Sequence, residues 1–179
     1  MNRLQLAHVL RAASRIGQDQ DILVIGSQAI LGTFDEDDLP DEATASIEAD
    51  IAFLDDPGRV KADRVEGAIG EFSDFHSMNG FYAEGIHIET AVLPVGWKDR
   101  LVTWDLQSSR PSHPHFLEPH DLAISKLIAG REKDVAFVDA LIMHRLIDLP
   151  TLIERAHLIE EGETLRRHRV ITHLSGYTR

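Results

Sequence analysis

The chain has 179 residues, 43% hydrophobic and 27% charged, which is enough apolar material for one buried core, alone or with a helical extension. It has no cysteine, which excludes disulfides and thiolate metal sites, and no apolar run approaches the ~18 residues needed to cross a bilayer. A formal net charge of −12 repels phosphate backbones, so a nucleic-acid substrate requires a local basic patch, for which Arg166, Arg167 and Arg169, or Lys126, Arg131 and Lys133, are the candidates.

The opening residues, Met1 to His8, are polar and interrupted, unlike a signal peptide, and a cytoplasmic location is expected. Apolar residues at Leu4, Leu6, Ala7, Val9, Leu10 and Ala13 predict a helix over 3–16. Residues 21–25 read as a short buried strand running into Gly26-Ser27, with 28–31 as the first turn of a helix. The stretch 34–46 is acidic and small with Pro40 inside it, a loop composition. Residues 47–54 alternate, with Ile47, Ala49, Ile51 and Phe53 on one side and Glu48, Asp50, Ala52 and Leu54 on the other, a strand pattern. Pro57 and Gly58 end it, and 60–72 suits a helix.

Further strands are expected over 80–83, 86–93 and 101–106. A proline- and histidine-bearing linker over 110–115 follows. Glu118-Pro119-His120-Asp121 then opens a helix, because proline's missing N–H costs nothing in a first turn. The remainder reads as helical, with breaks at Gly130 and Pro150. The expected organisation is α+β: a core over 1–110 built on a small mixed sheet with flanking helices, and a helical region over 116–179.

Chemistry concentrates in two places. Glu48 and Asp50, two apart on a strand, share a face and can converge on one cation. Magnesium is the expected ion, since it takes hard oxygen ligands and usually binds one or two carboxylates together with substrate phosphates. Gly26-Ser27, at the turn after a strand, lets backbone and hydroxyl approach such phosphates. These parts suit in-line phosphoryl transfer. The ten histidines include no pair at the i, i+4 spacing of a zinc protease, and neither a P-loop nor a Gly-x-Ser-x-Gly elbow occurs.

The Gly26-Ser27 turn followed by Glu48-Ala49-Asp50 resembles the signature of DNA polymerase β-like nucleotidyltransferases. The segment from Asp121 to Asp134, with Lys126 and then Arg131 and Asp134, is similar to a helical segment of a bacterial subgroup related to abortive-infection type nucleotidyltransferase toxins. The likeness covers roughly residues 20–145. It implies a magnesium-dependent enzyme that moves a nucleoside monophosphate from an NTP to an acceptor hydroxyl on RNA, protein or a small molecule, with an antitoxin as a possible protein partner. Carried over, Gly26 and Ser27 hold the triphosphate, Glu48 and Asp50 bind metal, Lys126 reaches the phosphates, and Arg131 and Asp134 complete the site. A third carboxylate is usual on a neighbouring strand, and Glu89 is the candidate that would activate the acceptor. Two departures stand out: glutamate occupies position 48 where aspartate is commoner, and the acidic segment 35–45 lengthens the gap after Ser27. The alternatives are an inactive nucleotide-binding module of the same fold and an antibiotic-modifying nucleotidyltransferase.

Overall fold

Five strands form one mixed sheet at the centre of the computed structural model, which describes residues 1–178. They are β1 (Asp21–Val24), β2 (Glu48–Phe53), β3 (Tyr82–Gly85), β4 (Val102–Thr103) and β5 (His113–Phe116), in the spatial order β3-β2-β1-β5-β4. β1 is antiparallel to β2 and parallel to β5, while β2 and β3 run parallel.

Helix α1 (Arg3–Gly17) begins at a capping box, in which the Asn2 side chain accepts from the Gln5 N–H and the Gln5 side chain accepts from the Asn2 N–H. With α3 (Val60–Ile69) it covers one face of the sheet, burying Leu6, Val9, Leu10, Ala62 and Val65. Phe53 belongs to that face: a Cβ added at Gly17 of α1 would fall 2.5 Å from its ring. Alternation then turns Glu48 and Asp50 to the opposite face. There the chain continues as α5 (Pro119–Ala129), α6 (Glu132–Met143), α7 (Leu149–His157) and α8 (Thr164–Ser175), packed around α5. The architecture is α+β, as expected.

Several expected boundaries move. The loop over 34–46 contains a short helix, α2 (Asp41–Thr44), and α4 (Asp74–Asn79) precedes β3. β3 lies two residues later than the expected 80–83, and β4 keeps only two residues of 101–106. Residues 86–93 are not a strand; their middle is the 3-10 turn Ile88–Thr90.

The expected linker supplies β5, a strand inside the sheet. Pro114 is tolerated there for a definable reason. His113 and Leu117 donate to the Gln20 and Val24 carbonyls on the β1 side, so the missing N–H of Pro114 faces β4. β4 pairs only with His115 and Phe116, so no ladder bond is lost. The break at Gly130 is real: its φ of 68° ends α5, and α6 starts two residues later. Pro150 sits in the first turn of α7, where proline is harmless.

Candidate active site

The alternation of β2 brings Glu48 and Asp50 to one face, and the parallel pairing with β3 sets Glu84 directly beside Asp50. Carboxylate oxygens of Glu48, Asp50 and Glu84 lie within 4.8 Å of one another. Burial, then the charges of Glu48 and Glu84, pushes the Asp50 carboxyl up to about 6, against the pull of Lys126 and Lys133. Burial and the charges of Glu48 and Glu66 also raise Glu84. Tyr82 donates its hydroxyl to Glu48 Oε2 at 3.0 Å, which orients that carboxylate. Three hard oxygen donors forced together at the cost of mutual repulsion are a donor set suited to a divalent cation.

Gly26 is dictated by this cluster rather than by its φ of −85°, an ordinary extended value. A Cβ there would lie 1.3 Å from Asp50 Oδ2, so any side chain would displace the carboxylate. Ser27 opens a helical segment as expected, but it is a six-residue 3-10 helix, Ser27–Gly32.

Two clefts adjoin at Asp134. One, of about 170 Å³, brings together Gly26, Asp50, Lys126, Arg131, Asp134 and Arg166. The other, of about 340 Å³, brings together Ser27, Glu48, Lys133 and Asp134. Lys126 Nζ is 3.0 Å from Asp134 Oδ1 and sits 5.0 Å from the centre of the Phe137 ring. Two points on α6 thus steer one lysine of α5. Asp134 is nearly inaccessible, and its Oδ2 has no hydrogen-bond donor among the described residues, although Arg131 Nε approaches to 3.9 Å. Arg131 itself is exposed at the start of α6.

The structure therefore brings Gly26, Ser27, Glu48, Asp50, Lys126, Arg131 and Asp134 to one region. Glu89 is the exception. Its side chain is 88% exposed in the 3-10 turn beside His87, and it is not among the three converging carboxylates. Glu84 stands where Glu89 was expected. The apolar-rich run of residues 86–93 imitates a strand and points to Glu89, whereas the strand that pairs with β2 is Tyr82–Gly85 and carries Glu84. Tyr82, bonded to Glu48, and Arg166, in the smaller cleft, join the region without a local sequence signal.

The family described as a nucleotidyltransferase of unknown function (DUF6036) matches residues 4–173. No curated protein and no solved structure matches the chain.

Proposed function

We propose that this chain, which belongs to that nucleotidyltransferase family, transfers a nucleoside monophosphate from an NTP to an acceptor hydroxyl and releases pyrophosphate. The observation that carries this reading is the convergence of Glu48, Asp50 and Glu84 beside Gly26 and across from Lys126. It also favours an active enzyme over an inert nucleotide-binding module, because three like charges held together cost stability unless a cation is to be bound.

Glu48, Asp50 and Glu84 would hold magnesium, which when bound offsets the charge of phosphates and carboxylates in the same space. The protein's own residues do the rest. Lys126, steered by Asp134, neutralises phosphate oxygens, and Gly26, by lacking a side chain, lets the Asp50 carboxylate sit against its backbone. Glu84 is the most exposed of the three acids, and its raised pKa suits it to take the proton of the acceptor hydroxyl. The acceptor oxygen forms its bond to the α-phosphorus as the bond to the pyrophosphate oxygen breaks.

The cations Lys126, Arg131, Lys133 and Arg166 around the clefts favour a polyanionic acceptor such as RNA, in keeping with the resemblance to toxins. A second reading has its own observation: a pocket that includes two of the triad is lined by Glu48, Glu66, Glu71, Tyr82 and Glu84, which suits a cationic small molecule. The deciding experiment is transfer of label from each α-³²P NTP, with magnesium, into RNA, protein and small-molecule fractions of a cell extract, with Asp50→Ala in parallel. Label in one fraction, lost in the variant, identifies enzyme and acceptor class together. Absence of label in every fraction would sink the catalytic reading.

A further inference from the structure

We infer that Arg166 of α8 is a phosphate-binding residue of the nucleotide cleft, so that the last helix of the chain is part of the site rather than a cap on it. This rests on the nucleotidyltransferase reading of the same cleft. Three helices each send one cation to it: Lys126 from α5, Arg131 from the start of α6 and Arg166 from the first turn of α8. Lys126 is already engaged by Asp134. Arg166 meets Glu163 at 3.3 Å, a surface pair one turn back that is worth little and gives way readily to a phosphate.

Helical geometry explains why Arg166 and not its neighbours reaches the cleft. Val170 and Leu174 are buried and mark the packing side of α8, and Arg166 lies one turn before Val170 on that side. Arg167 instead donates to the Ile159 carbonyl at 3.4 Å. Arg169 lies against Gly130, with a guanidinium nitrogen 3.4 Å from where a Cβ would stand. Neither lines the cleft. The charge argument points the same way. A triphosphate brought beside three carboxylates, in a chain of net charge −12, needs more than one fixed cation. A guanidinium offers the planar, two-pronged donor set that phosphate oxygens match.

The test is isothermal titration calorimetry of the intact protein with the α,β-methylene analogues of the four NTPs and magnesium, which bind without transferring. The corresponding nucleoside monophosphates are titrated alongside, and melting curves verify the fold. For the analogue that the wild type binds, Arg166→Ala is expected to weaken affinity about tenfold or more, with Arg166→Lys recovering part of it. Affinity for the monophosphate is expected to change by less than about threefold. Arg167→Ala, which removes the same charge from the same helix, is expected to bind as wild type does. Unchanged triphosphate affinity in Arg166→Ala overturns the inference and leaves the nucleotidyltransferase reading intact. An equal loss in Arg167→Ala also overturns it, since the effect would then be one of overall charge. Failure of the wild type to bind any analogue overturns the functional reading, and the inference with it.

Discussion

Asp50 concentrates the electrostatic cost of the site. Its carboxyl is pushed up to about 6 by burial and by Glu48 and Glu84. A carboxyl with a raised folded-state pKa holds its proton more tightly in the native protein than in the unfolded chain. Its contribution to stability is therefore fully present below the ordinary value of 3.8 and is lost as pH rises to about 6. Asp50→Asn should thus stabilise the metal-free protein at neutral pH by up to about 3 kcal/mol and do little near pH 4, measured by urea unfolding at both values. Nucleotide transfer should be abolished. The pair Glu84 and Glu89 separates an acid of the cluster from one outside it. Glu84→Gln should lower transfer by about 100-fold or more, the worth of a general base, whereas Glu89→Gln should leave it within about twofold, measured as kcat at saturating NTP. The reverse pattern would restore Glu89 as the third carboxylate.

Between elements, the N-terminal ends of α5 and α7 are tied together by one imidazole. The Glu118 side chain caps α5 by accepting from the backbone N–H groups of His120 and Asp121, and Asp148 caps α7 by accepting from that of Thr151. His120 sits between the two carboxylates, with Nδ1 2.6 Å from Glu118 and Nε2 3.2 Å from Asp148. Burial lowers the His120 pKa, but the two carboxylates outweigh it and hold the imidazole above its ordinary value of 6.5. The stabilisation from a raised histidine is complete below 6.5 and is lost as pH climbs through the folded-state value. His120→Ala should therefore cost roughly 1 kcal/mol more at about pH 5.5 than at about pH 8.5, in paired urea denaturations. An equal cost at both values would mean that packing, not charge, is what the residue contributes.

Across the whole molecule, one buried carboxylate joins the two halves. Asp121 of α5 is fully inaccessible and accepts two bonds from Arg100, at 2.8 and 3.1 Å, while Arg155 of α7 stands 3.3 Å away. Burial holds the Asp121 carboxyl above its ordinary range, against both guanidinium groups. Such a cluster adds little net stability over an apolar substitute, yet removing one member leaves its partners unpaired inside the protein. Asp121→Ala should cost about 3–5 kcal/mol in equilibrium unfolding. Because Arg100 lies before the sheet is complete and Arg155 beyond it, the loss should loosen the helical half against the sheet and lower transfer through misplacement of Lys126. Substitution of the exposed Arg110–Asp105 pair should leave the unfolding midpoint unchanged, because water screens such a pair.

The elements and residues legible in the sequence were those whose signal is local. Alternation in β2 put Glu48 and Asp50 on one face, glycine and proline marked the ends of α5 and β2, and the residue types of Gly26, Lys126, Arg131 and Asp134 matched a known pattern. What the sequence could not decide was anything set by pairing between distant segments. Two adjacent stretches, 82–85 and 86–93, are both apolar enough for a strand, and only the register of β3 against β2 selects Glu84 and leaves Glu89 in solvent. Residues 110–115 read as a linker because proline and histidine are poor strand formers. Pairing of β5 with β1, and the shortness of β4, make a strand of His113–Phe116 all the same. Arg166 carries no mark distinguishing it from Arg167 or Arg169. The packing of α8 against the body of the protein, through Val170 and Leu174, turns one of the three toward the cleft. Local chemistry is written along the chain, whereas register and helix rotation are consequences of burial, which exists only once the chain has closed on itself.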